Sequence, residues 1–168
     1  MQLIDTLNKL KSDEIFNEFK KNNKYAYFSY GFKIMGEKDL DGWQLGFYTK
    51  DNDKVTTFTV SRDKIEVNPE EEVFKKPSMK VNEINLEKIK LPLEQIMDKA
   101  NEFKKKNYPN EIDQKIIVIV QNLEGFGDIW NITFITKAFN TLNIKISTED
   151  GKILKHNLSS VFDFKKEG

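Results

Sequence analysis

One ten-residue pattern occurs twice in this chain and restricts the folds that the chain can adopt. Residues 41–50 read DGWQLGFYTK, and residues 128–137 read DIWNITFITK, 87 positions later. Asp, Trp, Phe, Thr and Lys occupy the same places in both copies. Alternation of large apolar residues with smaller or more polar ones is typical of a strand with one buried face. The pattern therefore predicts two copies of one strand-based unit, with Trp43 and Trp130 as equivalent core anchors.

The segments that precede these strands predict an α+β protein. Residues 2–21 carry apolar side chains at helical spacing, and Ser12-Asp13-Glu14 leaves open a break into two helices. Residues 92–106 form a second amphipathic pattern, which begins with a proline suited to the first turn of a helix. We predict two tandem repeats, each with one N-terminal helix packed on an antiparallel sheet of about four strands. The predicted boundaries are 1–67 for the first repeat, 68–91 for a connecting segment and 92–168 for the second repeat.

Two further segments predict how the strands are placed in the sheet. In the aromatic strand 25–34, alternation predicts Tyr30 on the same face as Phe28, with Tyr27 on the other face. The run 116–120 is apolar at every position, which is typical of a strand covered on both faces. Whether the two sets of strands form separate lobes or pair edge to edge into one sheet stays open.

Three features of the second half occur together in one known family. They are the helix at 92–106, the Trp strand ending in WNITF at 130–134, and the strand and turn at 142–154. Together they resemble a PepSY-like domain of the cystatin-like group, over roughly residues 84–164. The first half matches more loosely, because SRDKIE at 61–66 lacks the glycine of the turn. The resemblance implies a helix on a curved sheet and an inhibitory or ligand-binding role, with no catalytic residues.

Composition excludes several kinds of site. The chain has 27 basic and 27 acidic residues and a net charge of zero, which argues against a nucleic-acid partner. It has no cysteine and one histidine, His156, so we expect no thiolate or multi-histidine metal site, no cofactor and no enzymatic activity. His156 is expected in an exposed loop. Aspartates 39, 41, 51 and 53 lack calcium-loop spacing and are read as turn residues.

Hydropathy and the N-terminal sequence predict where the protein is located, and the lack of catalytic motifs predicts a binding function. No window is apolar enough to span a membrane and the N-terminus does not resemble a secretory signal, so we expect a cytoplasmic protein without a membrane partner. We expect a non-enzymatic binding or inhibitory module for a protein or peptide, of undetermined oligomeric state. A small-ligand-binding protein or weak enzyme with a cavity between helix and sheet stays open, as does an assembly protein that associates through sheet edges.

The binding surface is expected on the sheet face opposite the tryptophans or along the aromatic strand. In-phase apolar neighbours place the tryptophans in the core, so polar and aromatic residues of the other face are the candidates. The predicted binding residues are Tyr25, Tyr27, Tyr48, Lys50 and Lys137.

Overall fold

The computed structural model describes residues 1–36, 42–72 and 80–162. Asp39 and Asp41, part of the connecting segment (73–79) and the tail (163–168) lie outside the described residues. The helices are α1 (Leu3–Lys11), α2 (Glu14–Asn22) and α3 (Leu93–Asn107), with a 3-10 helix at Leu86–Lys88. The strands are β1 (Tyr27–Gly36), β2 (Trp43–Thr49), β3 (Lys54–Val60), β4 (Ile65–Val67), β5 (Glu71–Glu72), β6 (Asp113–Leu123), β7 (Gly127–Thr136), β8 (Asn140–Ser147) and β9 (Ile153–Ser160).

All described strands belong to one antiparallel sheet. Eight of them follow the order β4-β3-β2-β1-β6-β7-β8-β9, and β5 pairs with β3. β1 pairs with β6 from Tyr30–Gln121 to Gly36–Lys115. The prediction of two tandem helix-plus-sheet repeats is therefore wrong, and so is the tandem cystatin-like architecture that the PepSY-like resemblance implies. Pairing of β1 with β6 gives each strand a partner at an edge that two separate sheets would expose.

The N-terminal helical segment is broken into two short helices. The backbone N–H of Ser12 donates to carbonyls of the preceding turn and closes α1. The Asp13 side chain then accepts a hydrogen bond from the Ile15 backbone N–H at 2.9 Å and caps the start of α2. This side-chain cap satisfies a backbone donor that the new helix would otherwise leave without a partner.

The three α-helices cover one face of the sheet. Leu7 of α1, Phe16 of α2 and Ile96 of α3 belong to one buried cluster with the inward-facing residues of the sheet. Trp43 and Trp130 are each 1% exposed, and their ring centroids lie 6.2 Å apart in this cluster. The prediction that both tryptophans anchor the core is confirmed. None of the helices described here is long and apolar enough to cross a membrane.

The tryptophan pair requires a glycine on β1. A Cβ at Gly31 would lie 2.9 Å from Cγ1 of Val120 and 3.5 Å from Cε3 of Trp43. Contacts under 3.0 Å force neighbouring atoms to move. Gly31 therefore lets the Trp43 ring and the α1 residue Leu3 approach the centre of the sheet.

A β-bulge in β1 overturns the predicted distribution of its aromatic residues. Phe28 pairs with Phe47 and Tyr30 pairs with Gly46, so Ser29 is an extra residue between them. The bulge shifts the alternation by one residue, and Tyr30 lies on the same face as Tyr27 instead of with Phe28. Phe28 is buried under the helices, whereas Tyr30 lies on the face without helices.

Candidate functional site

The sheet face opposite the helices is called the open face, and its centre is apolar. β1 and β6 pair there through Phe32–Ile119 and Ile34–Ile117. These four residues, the apolar stripe, are half-buried, and none belongs to the cluster that the helices cover. The prediction that the run 116–120 is covered on both faces is wrong, because one face of it lacks a covering helix among the described residues. The apolar character of the stripe is therefore not explained by burial in the core.

A tyrosine cluster borders the stripe toward the start of β1 and extends over β2 and β3. Tyr27 pairs with Tyr48 across β1 and β2, with ring centroids 5.5 Å apart. The Tyr30 hydroxyl lies 2.7 Å from Oγ1 of Thr57 on β3. The Tyr30 ring lies directly over Gly46, where a Cβ would be only 2.0 Å from Cε1 of the ring. Glycine at position 46 thus creates the space in which the tyrosine cluster packs.

The hydroxyls of this cluster are held in their neutral form. Burial, followed by the hydrogen bond to Asp53 and the charge of that carboxylate, raises the pKa of Tyr48 to about 12. Burial also raises the pKa of Tyr30 and, together with the nearby Glu83 carboxylate, the pKa of Tyr27. The Tyr27 hydroxyl donates to the Val81 carbonyl at 2.5 Å. The cluster therefore presents neutral rings and hydrogen-bonded hydroxyls at neutral pH.

A polar row lies on the other side of the stripe. The Asn143 amide donates to Oδ1 of Asn131 at 2.5 Å and to Oγ1 of Thr133 at 2.9 Å. The Lys145 ammonium donates to Oδ1 of Asn143 at 2.7 Å. Asn131 pairs with Ile119, so the polar row begins beside the apolar stripe. The open face thus combines apolar and hydrogen-bonding groups, as ligand-binding surfaces do.

A pocket of about 370 Å³ opens beside the stripe, past the last β1–β2 pair at Phe32–Gln44. It is within the size range of small-molecule sites, which is roughly 300–1,000 Å³. Its lining combines residues of the open face with residues at the end of the sheet. They are Phe32, Lys33, Ile34, Gly42, Trp43, Gln44, Thr59, Ser61, Asp63 and Lys64.

A second cavity, of about 570 Å³, lies between the N-terminal helices and the sheet and is called the helix–sheet cleft. Aromatic residues contributed by α2, β1 and β2 line it together with charged residues of both signs. The aromatic residues are Phe16, Tyr27, Phe28 and Phe47, and the charged ones are Lys11, Lys20, Glu83 and Glu87. Lys20 also donates to the Lys24 and Ala26 carbonyls, at 2.9 and 2.7 Å.

The structure brings only some of the predicted binding residues together. Tyr27 and Tyr48 are in contact, and Lys50 follows β2 at the same end of the sheet. Tyr25 precedes β1 and is 78% exposed. Lys137 lies at the opposite end, where its backbone N–H donates to the Ile112 carbonyl at 2.9 Å. Their role in binding stays a prediction.

The surroundings of Lys137 are apolar and exposed. Phe139, two residues later, is 59% exposed and adopts a left-handed backbone with φ of 61°. Its ring lies 6.0 Å from that of Phe162, which is also exposed. A bulky residue in this conformation costs about 1 kcal/mol or more.

The apolar stripe was not predicted as an exposed surface. The alternation expected along strand 25–34 also places Phe32 and Ile34 on the face with Phe28. The interpretation of the run 116–120 as a covered strand includes Ile117 and Ile119. The unbroken apolar run 116–120 was the available signal, but it is equally typical of a buried strand.

His156 is placed on β9 rather than in a loop, and it is exposed as predicted. Its Nδ1 lies 2.6 Å from the Tyr108 hydroxyl, and its ring lies 4.8 Å from that of Phe103. These contacts attach the end of α3 to the edge of the sheet.

Among the described residues, no group of three or more His, Cys, Asp or Glu side chains is arranged to hold a metal ion.

Comparison with known proteins identifies a similar fold and no family. No family model and no curated protein matches this chain. The crystal structure of a "putative lipoprotein" from Clostridium difficile 630 matches with a TM-score of 0.52 and 18% identity, over 89% of this chain and 97% of that chain. At this identity the similarity shows the fold alone.

Proposed function

We propose that this protein is a non-enzymatic binding module that engages a protein or peptide partner across its open face. The observation that carries the proposal is the apolar stripe, in which Phe32, Ile34, Ile117 and Ile119 occupy the central strands without a covering helix among the described residues. Grouped apolar side chains at the surface of a folded protein favour an interaction site. Tyr27 and Tyr30, the half-buried members of the tyrosine cluster, add rigid aromatic area beside the stripe. Binding surfaces use tyrosine because it loses little conformational entropy on binding.

An extended chain fits this surface better than a helix end or a small ion. The stripe is flanked by the tyrosine cluster on one side and by the polar row on the other. A segment lying diagonally across the strands, from the start of β1 toward β8, would contact aromatic, aliphatic and amide groups in turn. Because β1 and β6 each have two neighbours in the sheet, recognition would depend on side chains rather than on strand addition.

Peptide selection followed by calorimetry tests the proposal. A random peptide library is selected on the immobilised protein, and the affinity of selected peptides is then measured for wild type, Ile119→Ser and Ile4→Ser. Ile4 is 39% exposed on α1, so the same change there provides the matched control. We expect Ile119→Ser to weaken binding about tenfold and Ile4→Ser to have no effect. A tenfold loss corresponds to about 1.4 kcal/mol, which is roughly half of the free energy gained when an isoleucine side chain is fully buried. Failure to enrich any peptide, or an equal loss in both variants, would contradict the proposal.

A second candidate function is the binding of a small molecule in the helix–sheet cleft. Its aromatic lining and its charges of both signs favour a molecule with an apolar body and charged groups. Native mass spectrometry of gently purified protein should then show a bound small molecule that is lost in Glu83→Trp, a change that fills the mouth of the cleft. Protein that carries no such molecule, or carries it equally in the variant, argues against this function.

Cytoplasmic location is part of the proposal and rests on the sequence alone. The neighbouring structure is described as that of a lipoprotein, a class attached to membranes through lipid. Cell fractionation of the native protein distinguishes the two locations, because recovery in the membrane fraction would contradict the cytoplasmic assignment.

A further inference from the structure

Two lysines face each other on the open face at the edge of the sheet. Lys145 on β8 pairs with Lys155 on β9. Side chains paired in this way have Cβ atoms about 5 Å apart, and like charges so placed destabilise the sheet. Neither lysine has an ion-pair partner among residues 1–36, 42–72 and 80–162. Within the described part of the chain, the lysine pair is therefore a concentration of positive charge without a compensating carboxylate.

Hydrogen bonds hold one of the two ammonium groups in place. Asn143 accepts from Lys145 at 2.7 Å and is itself fixed by its bonds to Asn131 and Thr133. An ammonium group has three donors, and Asn143 is the acceptor that the described residues supply to Lys145. Burial and the charge of Lys155 lower the pKa of Lys145. An anion placed between the lysines would remove the repulsion and use the remaining donors.

Acidic residues do not neutralise the pair from its own face. The open-face positions of β7, β8 and β9 carry no acidic side chain; they are Ile129, Asn131, Thr133, Ile135, Thr141, Asn143, Lys145, Ser147, Lys155, Asn157 and Ser159. The two acids of the β8–β9 turn pair with other lysines. Asp150 lies 3.9 Å from Lys152, and Glu149 lies 4.0 Å from Lys90.

Protection of the sheet edge explains only one of the two lysines. β9 is a terminal strand of the sheet, and a lysine there discourages pairing with another chain. Lys145 is on β8, which has a neighbour on each side, so edge protection does not account for it.

The lysine pair and the apolar stripe lie in one straight row across the sheet. The strand register aligns Phe32 with Ile119, Ile119 with Asn131, Asn131 with Lys145 and Lys145 with Lys155. Strands are spaced by about 4.8 Å, so Ile119 and Lys155 are separated by roughly 14 Å. An extended chain covers that distance in about four residues, and residues four apart point to the same side.

We propose that the Lys145–Lys155 pair binds the carboxylate of an acidic residue in an extended peptide, four residues from an apolar residue that contacts Ile119. This rests on the proposed function for the identity of the partner, but the anion site can be tested without a peptide. The partner class is therefore an acidic, partly apolar segment rather than a purely apolar one.

Titration with glutarate, a simple dicarboxylate, tests the anion site directly. ¹H–¹⁵N NMR spectra of wild type, Lys155→Gln and Lys88→Gln are followed at low ionic strength and neutral pH. Lys88 is exposed on the 3-10 helix, so its substitution changes the net charge equally and provides the control. We expect shifts centred on β8 and β9, binding weakened about tenfold in Lys155→Gln, and unchanged binding in Lys88→Gln. Lys155→Gln should also raise the melting temperature at low salt, because the repulsion is removed.

Three results would overturn this inference. The first is that chloride at the same ionic strength produces the same shifts, which indicates general screening. The second is that both variants weaken glutarate binding equally. The third is that inorganic phosphate binds while glutarate does not, which excludes the carboxylate assignment. If glutarate binding fails while selected peptides still depend on Ile119, only the lysine-pair inference falls and the proposed function stands.

Discussion

Burial of the Tyr48 hydroxyl, together with its hydrogen bond to Asp53, predicts a loss of stability in alkaline solution. Tyr48 is 6% exposed, and its pKa rises from 10.0 to about 12 in the folded protein. As the pH increases, the unfolded chain loses the phenol proton first, so this contribution is fully present below pH 10 and is lost between about pH 10 and 12. A shift of about two pKa units corresponds to roughly 2–3 kcal/mol of unfolding free energy.

Urea unfolding of wild type and Tyr48→Phe between pH 7 and 12, followed by circular dichroism, measures this contribution. At pH 7 the variant should be less stable by about 1–2 kcal/mol, because the hydrogen bond to Asp53 is missing. Between about pH 10 and 12 the wild type should lose roughly 2–3 kcal/mol more than the variant, so the two stability curves approach or cross. Lysine titration is common to both proteins and cancels in the difference. Tyr25→Phe, at a position 78% exposed, is the control and should follow the wild type. Parallel curves for wild type and Tyr48→Phe would refute the reasoning.

Two further predictions concern the packing of the sheet. Gly46→Ala places a Cβ about 2.0 Å from the Tyr30 ring, so we expect a loss of about 1–3 kcal/mol in urea unfolding, and a change below about 0.5 kcal/mol would show that the ring moves freely. Trp43 donates through Nε1 to the Met1 carbonyl at 3.1 Å, whereas Nε1 of Trp130 is buried without a hydrogen-bond partner among the described residues. Trp43→Phe should therefore cost about 1 kcal/mol more than Trp130→Phe in the same assay, and an equal or reversed cost would contradict this assignment.

The proposals place recognition and stability on opposite faces of one sheet. The helix-covered face contains the tryptophan pair and most of the buried apolar side chains. The open face contains the apolar stripe, the tyrosine cluster and the lysine pair. Substitutions such as Ile119→Ser and Lys155→Gln can therefore alter binding without removing the core contacts on which folding depends.

Local sequence patterns predicted the elements that depend on neighbouring residues. The helix predicted at 92–106 is found at Leu93–Asn107, and the break that Ser12-Asp13-Glu14 left open separates α1 from α2. The aspartates at 51 and 53 lie in the turn between β2 and β3, as their residue type indicates. These features depend on short-range periodicity, capping and turn chemistry, which are encoded in a few adjacent residues.

The candidate site could be predicted only in outline. Alternation along the Trp strand predicts that Tyr48 and Trp43 lie on opposite faces of the sheet, and β2 follows that alternation. The bulge at Ser29 placed Tyr30 with Tyr27, which no alternation rule anticipates because one inserted residue reverses every later position. Lys145 and Lys155 are ten positions apart in the chain, and only the register between β8 and β9 shows that they face each other.

By itself, the sequence determined that Trp43 and Trp130 occupy strands with one buried side, because large apolar residues at alternate positions must leave water together. It did not determine which strands are neighbours. Every strand offers the same backbone donors and acceptors, so the pairing of β1 with β6 depends on contacts between residues far apart in the chain. The tertiary structure alone decided that two sets of strands form one sheet, that the two tryptophan rings lie 6.2 Å apart, and that the apolar stripe lies on the face without helices.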